Sequence, residues 1–196
     1  MQASKRQRMS TELLVLGAIL TALVVVLQMM GSFIHLGMFS ISLVLVPIVI
    51  GASVGGAKLG AWLGGVFGVV VLISGDAAAF LAINVPGTII TVMAKGIACG
   101  LVAGVVYKWL SGIDRYASVI ITALVCPVVN TGVFLLGCSV FFMDTIKTWA
   151  LADYGENVVG YLFLGLAGLN FLVEVAINVL LSPAIVRLLD LRKKQG

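Results

Sequence analysis

The amino-acid sequence predicts an all-α integral membrane protein, a single domain over residues 1–196 with six transmembrane helices and both termini cytoplasmic. Three observations predict this. The chain is 61% hydrophobic and 10% charged, with a mean hydropathy of +1.20, where a soluble domain has roughly 45–50% apolar and about 25% charged residues. Several apolar runs approach the roughly 20 residues that cross about 30 Å of hydrocarbon as a helix. The basic residues fall at the termini and in alternate connections, as the cytoplasmic preference of Lys and Arg requires.

The first span is predicted from Thr11 to Met30, after a basic cytoplasmic tail of about residues 1–10. That tail resembles the start of a signal peptide, but the run after it is long and has no convincing small-residue cleavage site, so it reads as a mature helix. The second and third spans, Phe39 to Val54 and Leu59 to Ser74, are short and joined by "GASVGGAKL". A phosphate-cradling loop needs G-x-x-x-x-G-K-[ST]; here Ala57 takes the lysine's place and Leu59 follows Lys58, so the stretch reads as a glycine-permitted turn. The fourth span runs from Pro86 to Leu110, with Pro86 in a first turn where a missing N–H does no harm. The fifth and sixth run from Ala117 to Phe142 and from Val158 to Leu189, before a basic tail of about residues 190–196. Pro47 and Pro127 fall inside predicted spans and should bend or open them.

Charges test the count. With six spans and both ends inside, one side receives Lys5, Arg6, Arg8, Lys58, Lys108, Arg115, Arg187, Arg192, Lys193 and Lys194, and the other only Lys147. Gly56, Gly60, Gly64 and Gly68 recur every four residues, and Gly96, Gly100 and Gly104 repeat the pattern. Such faces let helix backbones approach closely, within the chain in preference to a dimer.

Lys95 and Glu174 are the ionisable side chains deepest in the predicted spans. An unpaired charge there costs roughly 2.5–3.5 kcal/mol on insertion scales, so each needs a partner or a wet cavity. They either pair with each other or reach a substrate. Asn170 and Asn178 flank Glu174 at intervals of four, making one polar helical stripe. In the fifth span, "CPVVNTG" offers Asn130 and Thr131 beside Pro127. Toward the outer side, "GSFIHLGMFS" holds His35, and "SGDAAAFLAINVPG" holds Asp76, Phe80 and Asn84; both segments are placed to cover a pocket.

Several functions are excluded. The basic residues form no stripe with interleaved aromatics, so no nucleic-acid partner is expected. One histidine, and cysteines (Cys99, Cys126, Cys138) without a C-x-x-C pair, give no metal site, and no nucleophile–base pair or carboxylate cluster suggests an enzyme.

The first span reads "LGAILTALVVVLQ", with Ala18 and Ala22 four residues apart. Together with six spans, the short glycine-rich second and third, and "KGIACGLVAGVVYKWL", this A-x-x-x-A element resembles the substrate-binding S component of energy-coupling factor (ECF) vitamin transporters. The resemblance covers almost the whole chain. It implies a high-affinity subunit, in the cell membrane of a prokaryote, that binds a water-soluble vitamin from outside. Partners would be a transmembrane T component and two cytoplasmic ATPases, which use the ATP; this chain would hold no cofactor. Ala18 and Ala22 would pack against the T component. The implied pocket takes in His35, Asn84, Lys95, Asn130, Asn170 and Glu174, with Phe80 and Tyr161 as walls. A free Lys95 would suit a carboxylate such as pantothenate's, and a Lys95–Glu174 pair a neutral heterocycle such as riboflavin. The competing reading is a self-sufficient carrier or channel that uses Lys95 and Glu174 in an ion or proton pathway.

Overall fold

The computed structural model describes residues 11–31, 35–36, 39–40 and 43–193. The tail at 1–10 and Lys194 lie outside these residues, and so does the side chain of His35. Among the described residues, five helices are long and apolar enough to cross a membrane: Thr11–Gly31, Leu45–Ser74, Val85–Leu110, Tyr116–Phe141 and Asn170–Arg187. In hydrocarbon each backbone N–H and C=O must find its partner within the chain, which a helix achieves locally.

Helix α1 (Thr11–Gly31) buries Gly17, Leu20, Val24, Gln28 and Gly31, spaced by three or four so that they form one face. Ala18 and Ala22 lie on its exposed side. A two-residue pair follows: β1 (His35–Leu36) runs antiparallel to β2 (Phe39–Ser40), with His35 opposite Ser40. Phe39 and Ser40 therefore do not belong to the second span, because their backbone is paired in the extended state. Helix α2 (Leu45–Ser74) starts later, and this places Pro47 in its first turn, where no bend results from the missing N–H.

Although α2 covers 30 residues, it is not one rod. Gly56 has φ 71° and ψ −168°, a region open essentially to glycine alone. The chain reverses there. A Cβ on Gly60 would lie 3.0 Å from the Ala52 Cβ, and one on Gly51 would collide with Leu63. Residues 52 and 60 would be about 12 Å apart in a continuous helix. The "GASVGGAKL" stretch is thus the tip of a helical hairpin.

After the short α3 (Ala78–Leu81), helix α4 (Val85–Leu110) returns antiparallel to the second leg of α2. A Cβ on Gly60 would meet the Gly100 carbonyl, one on Gly64 the Gly96 carbonyl, and one on Gly104 the backbone of Ala57. The glycine repeats pack against each other within the chain. Helix α5 (Arg115–Phe141) starts at Asp114, whose carboxylate accepts from Ala117 N at 2.7 Å, and it runs through Pro127. The amphipathic α6 (Met143–Asp153) was not foreseen as a separate element.

The predicted sixth span is broken. It comprises α7 (Val158–Gly160), a π-helix (Tyr161–Ala167) and α8 (Gly168–Lys193), and the π-helix gives way to α8 at Gly168, with φ 22° and ψ −127°. One hydrophobic core joins α1, both legs of α2 and parts of α4, α5 and α8, including Leu20, Ile48, Leu63, Cys99, Ala123 and Ile185. A second, around Phe80, Cys138, Phe142, Ile146 and Tyr161, sits at the opposite end from the Gly56 turn. The contacts Gly17–Leu59 and Gly104–Ala57 bring Lys58 and Lys108 to the Gly56 end, while Asp76 lies toward the other.

Candidate substrate-binding site

Between the two cores lies a cavity of about 80 Å³. Its walls come from α1, the second leg of α2, the loop leading into α3, α4, α5, the π-helix and α8. The apolar part is aromatic: Phe67, Phe80, Phe134, Phe142 and Phe171. Phe80 is fixed by edge-on contacts to Phe134, Phe142 and Trp149, with ring centroids 5.7, 5.0 and 5.6 Å apart. Such T-shaped pairs match the positive edge of one ring to the negative face of another. They seat the 75–84 segment over the cavity.

Four predicted polar site residues converge here: Lys95 from α4, Asn130 from α5, and Asn170 and Glu174 from α8. Helical spacing explains the last two, since Asn170 and Glu174 stand four residues apart on α8 and share one face. The Lys95 ammonium stands 5.6 Å from the Phe67 ring centroid and 5.1 Å from that of Phe134, within cation–π range. The carboxylates of Glu174 and Asp76 act on it electrostatically.

Three wall residues carry buried polar atoms that make no hydrogen bond within the chain: Thr91 Oγ1, Asn130 Oδ1 and Asn170 Oδ1. Leaving a buried group unsatisfied costs about 1–3 kcal/mol, so three around one cavity identify a place built to receive hydrogen bonds from a guest or from water. By contrast, Thr88 on the same wall is satisfied by its own helix, donating from Oγ1 to the Asn84 carbonyl at 2.8 Å.

Two of the expected wall residues are elsewhere. Asn84 caps α4, its side chain accepting from Gly87 N at 3.0 Å, and does not line the cavity. An Asn three residues ahead of a helical N–H, followed by Pro, fits N-cap chemistry better than ligand contact. Tyr161 is buried in the core around Phe142 and packs edge-on with Tyr154 at 5.7 Å. For His35 the structure gives only the backbone pairing. Phe80 is a wall residue, as expected. Asn178, one turn beyond Glu174, donates from Nδ2 to the Glu174 carbonyl at 2.8 Å and is not on the wall.

Gln28, Thr88 and Thr91 line the cavity in addition to the residues expected from the sequence. Gln28 is 1% exposed, and its Nε2 donates to Asp76 Oδ2, tying α1 to the loop beyond α2. A Gln inside "VVVLQMM" was a usable signal, as was the spacing of Thr88, Thr91 and Lys95 on one face of α4. No cluster of three metal-ligating side chains occurs among the described residues.

A helical membrane chain with a polar cavity among its spans has the form of a small-molecule binding subunit, and residues 12–186 match the model of the family "ECF transporter, substrate-specific component". The chain belongs to that family. No curated protein and no solved structure matches it. Members of the ECF substrate-specific family are binding subunits of transporters and not enzymes. Family and apolar helices together make this a multi-pass membrane protein.

Proposed function

We propose that this chain is the high-affinity subunit of an ECF importer for a water-soluble vitamin or related micronutrient of the riboflavin or pantothenate class. The observation that carries this reading is the convergence of Lys95, Asn130, Asn170 and Glu174 on one cavity with unsatisfied polar atoms. Phe80 closes it from the segment ahead of α4, and His35 belongs to the preceding loop on the same side.

In the proposed orientation the Gly56 turn, Lys58 and Lys108 face the cytoplasm and the cavity opens toward the outside of a prokaryotic plasma membrane. Counting the two legs of α2 separately gives six spans and puts both termini inside. Ala18 and Ala22, on the exposed side of α1, form the surface for a transmembrane T component, where small side chains allow close helix approach. Two cytoplasmic ATPase subunits supply the energy, and this chain carries no cofactor.

Titration of the purified chain with a panel of B vitamins tests the reading; absence of binding across the panel overturns it. The alternative, a self-sufficient carrier or channel, is favoured by the burial of Lys95 and Glu174 in one cavity. Proteoliposomes holding only this chain separate the two. Sustained gradient-driven uptake supports the carrier, and binding without uptake supports the S component.

A further inference from the structure

Beyond the S-component reading, we propose that the seam between α5 and α8 is a second access route to the cavity, opening at the Gly56 end, by which a small polar guest passes between the cavity and that face of the membrane. The first ground is the lining. On α5, Ser118, Thr122, Cys126 and Asn130 recur every four residues, and all are buried. On α8, Asn170, Glu174, Asn178 and Ser182 have the same spacing, and the last three are buried. Residues four apart make one inclined ridge of a helix. The two helices pack against each other, and their ridges start together at the cavity, where Asn130, Asn170 and Glu174 share the wall. One turn toward the Gly56 end, the Cys126 thiol is within electrostatic reach of Glu174. From Asn170 to Ser182 the ridge covers about 18 Å, more than half of the roughly 30 Å of hydrocarbon.

The second ground is where the hydrogen bonds go. Polar groups that hold two membrane helices together bond across the interface. Here Thr122 Oγ1 donates to the Ser118 carbonyl at 2.7 Å, Ser182 Oγ to the Val179 carbonyl at 2.7 Å and Asn178 Nδ2 to the Glu174 carbonyl at 2.8 Å, each within its own helix. Parting α5 from α8 breaks none of these bonds. Asn178 is 0% exposed, and its Oδ1 has no hydrogen bond within the chain, a cost of about 1–3 kcal/mol that water entering the seam would relieve. The third ground is the pair of prolines inside these same helices, Pro127 in α5 and Pro183 in α8. Each removes a bond to the carbonyl four residues back and so permits bending. The carbonyl that Pro183 leaves, that of Val179, is the one Ser182 takes up. At the Gly56 end Val119, Ile185, Val186 and Leu189 lie buried in the apolar core, an apolar closure of the kind that gates by excluding water.

Thiol labelling in membranes tests this, with native Cys126 as reporter on the ridge and Cys138, in the other core, as control. Gly112→Cys, in the exposed turn between α4 and α5, marks the Gly56 side. A membrane-impermeant cationic methanethiosulfonate is applied to intact cells and to inverted vesicles holding the full chain, and peptide mass mapping reports each site. Cys126 should be modified from the side that modifies Gly112→Cys, about tenfold or more faster than Cys138, and not from the other side. Asn178→Leu, which makes one step of the ridge apolar, should slow Cys126 labelling about tenfold while leaving the melting temperature unchanged or raised. Cys126 left unmodified from both sides, or modified from the side opposite to Gly112→Cys, overturns the route. So does a labelling rate that is unchanged in a folded Asn178→Leu. If that variant does not fold, the sidedness of Cys126 in the unsubstituted seam decides. No guest is added, so a negative result leaves the S-component reading intact, and absence of vitamin binding leaves the route intact.

Discussion

Along α4, Gly96, Gly100 and Gly104 meet α2 backbone to backbone, whereas Thr88, Thr91 and Lys95 on the same helix stand against a cavity. The glycine seam has no side chains to adjust, so its geometry is set by the carbonyls of Gly60 and Gly64 opposite. On the cavity side large side chains hold the helices apart and leave polar atoms unsatisfied. Close packing stabilises in lipid, where apolar burial drives nothing between helices. Unsatisfied polar atoms destabilise, and three of them, on Thr91, Asn130 and Asn170, stand around this one space. One helix thus couples a rigid support to an adaptable site.

The sharpest way to break this contrast is to put a side chain into the seam. Gly64→Val places a branched Cβ against the Gly96 carbonyl, and both partners are backbone, so no rotamer change relieves the overlap. Destabilisation above about 3 kcal/mol is expected, at the upper end for overpacking, with loss of the monodisperse peak in size exclusion. A normally folded Gly64→Val would show that the two helices are not locked.

The opposite result is expected across the helix. Asn130→Leu removes a buried amide whose oxygen has no partner and keeps the branched shape of the side chain. Relief of that desolvation cost should leave the melting temperature unchanged or raised, while substrate affinity falls about tenfold or more. A large drop in melting temperature would move Asn130 into the structural class with Gly64.

How legible this contrast was in the sequence depended on range. Lys95, Asn130, Asn170 and Glu174 were readable because an ionisable or amide group in hydrocarbon is costly wherever it sits, and helical spacing supplies its face. The glycine repeats were readable for the same local reason. The Gln28–Asp76 bond was not, because it joins residues separated by a hairpin and a whole span. Asn84 and Tyr161 have the chemistry of wall residues, yet a cap and a core took them. The break at Gly168 was hidden too, since glycine in an apolar run signals close packing as readily as a change of direction. Family membership came from the pattern along the whole chain and not from any wall residue.

A smaller effect separates conformation from contact. At Gly56 a Cβ would meet nothing within 4 Å, but φ is 71°. Gly56→Ala should therefore cost about 1–3 kcal/mol from backbone strain alone, less than Gly64→Val. Thermal unfolding of both variants in the same detergent checks the order, and equal losses would mean that the hairpin turn is as crowded as the seam.

The smallest effect should have the opposite sign. Gly132 lies inside α5, at the exposed surface, with negative φ and nothing within 4 Å of its Cβ position. Here glycine serves neither close approach nor an unusual dihedral; it only leaves the unfolded backbone more freedom to lose. Gly132→Ala should stabilise by about 0.5–1 kcal/mol, read as a small rise in melting temperature with unchanged binding. Because adding a side chain to a glycine then runs from strongly unfavourable to favourable within one protein, what faces the glycine and the dihedral it holds, and not its presence in a membrane helix, set the cost. A Gly132→Ala variant destabilised as much as Gly56→Ala would mean that α5 bends or packs there in a way the open surface around it does not explain.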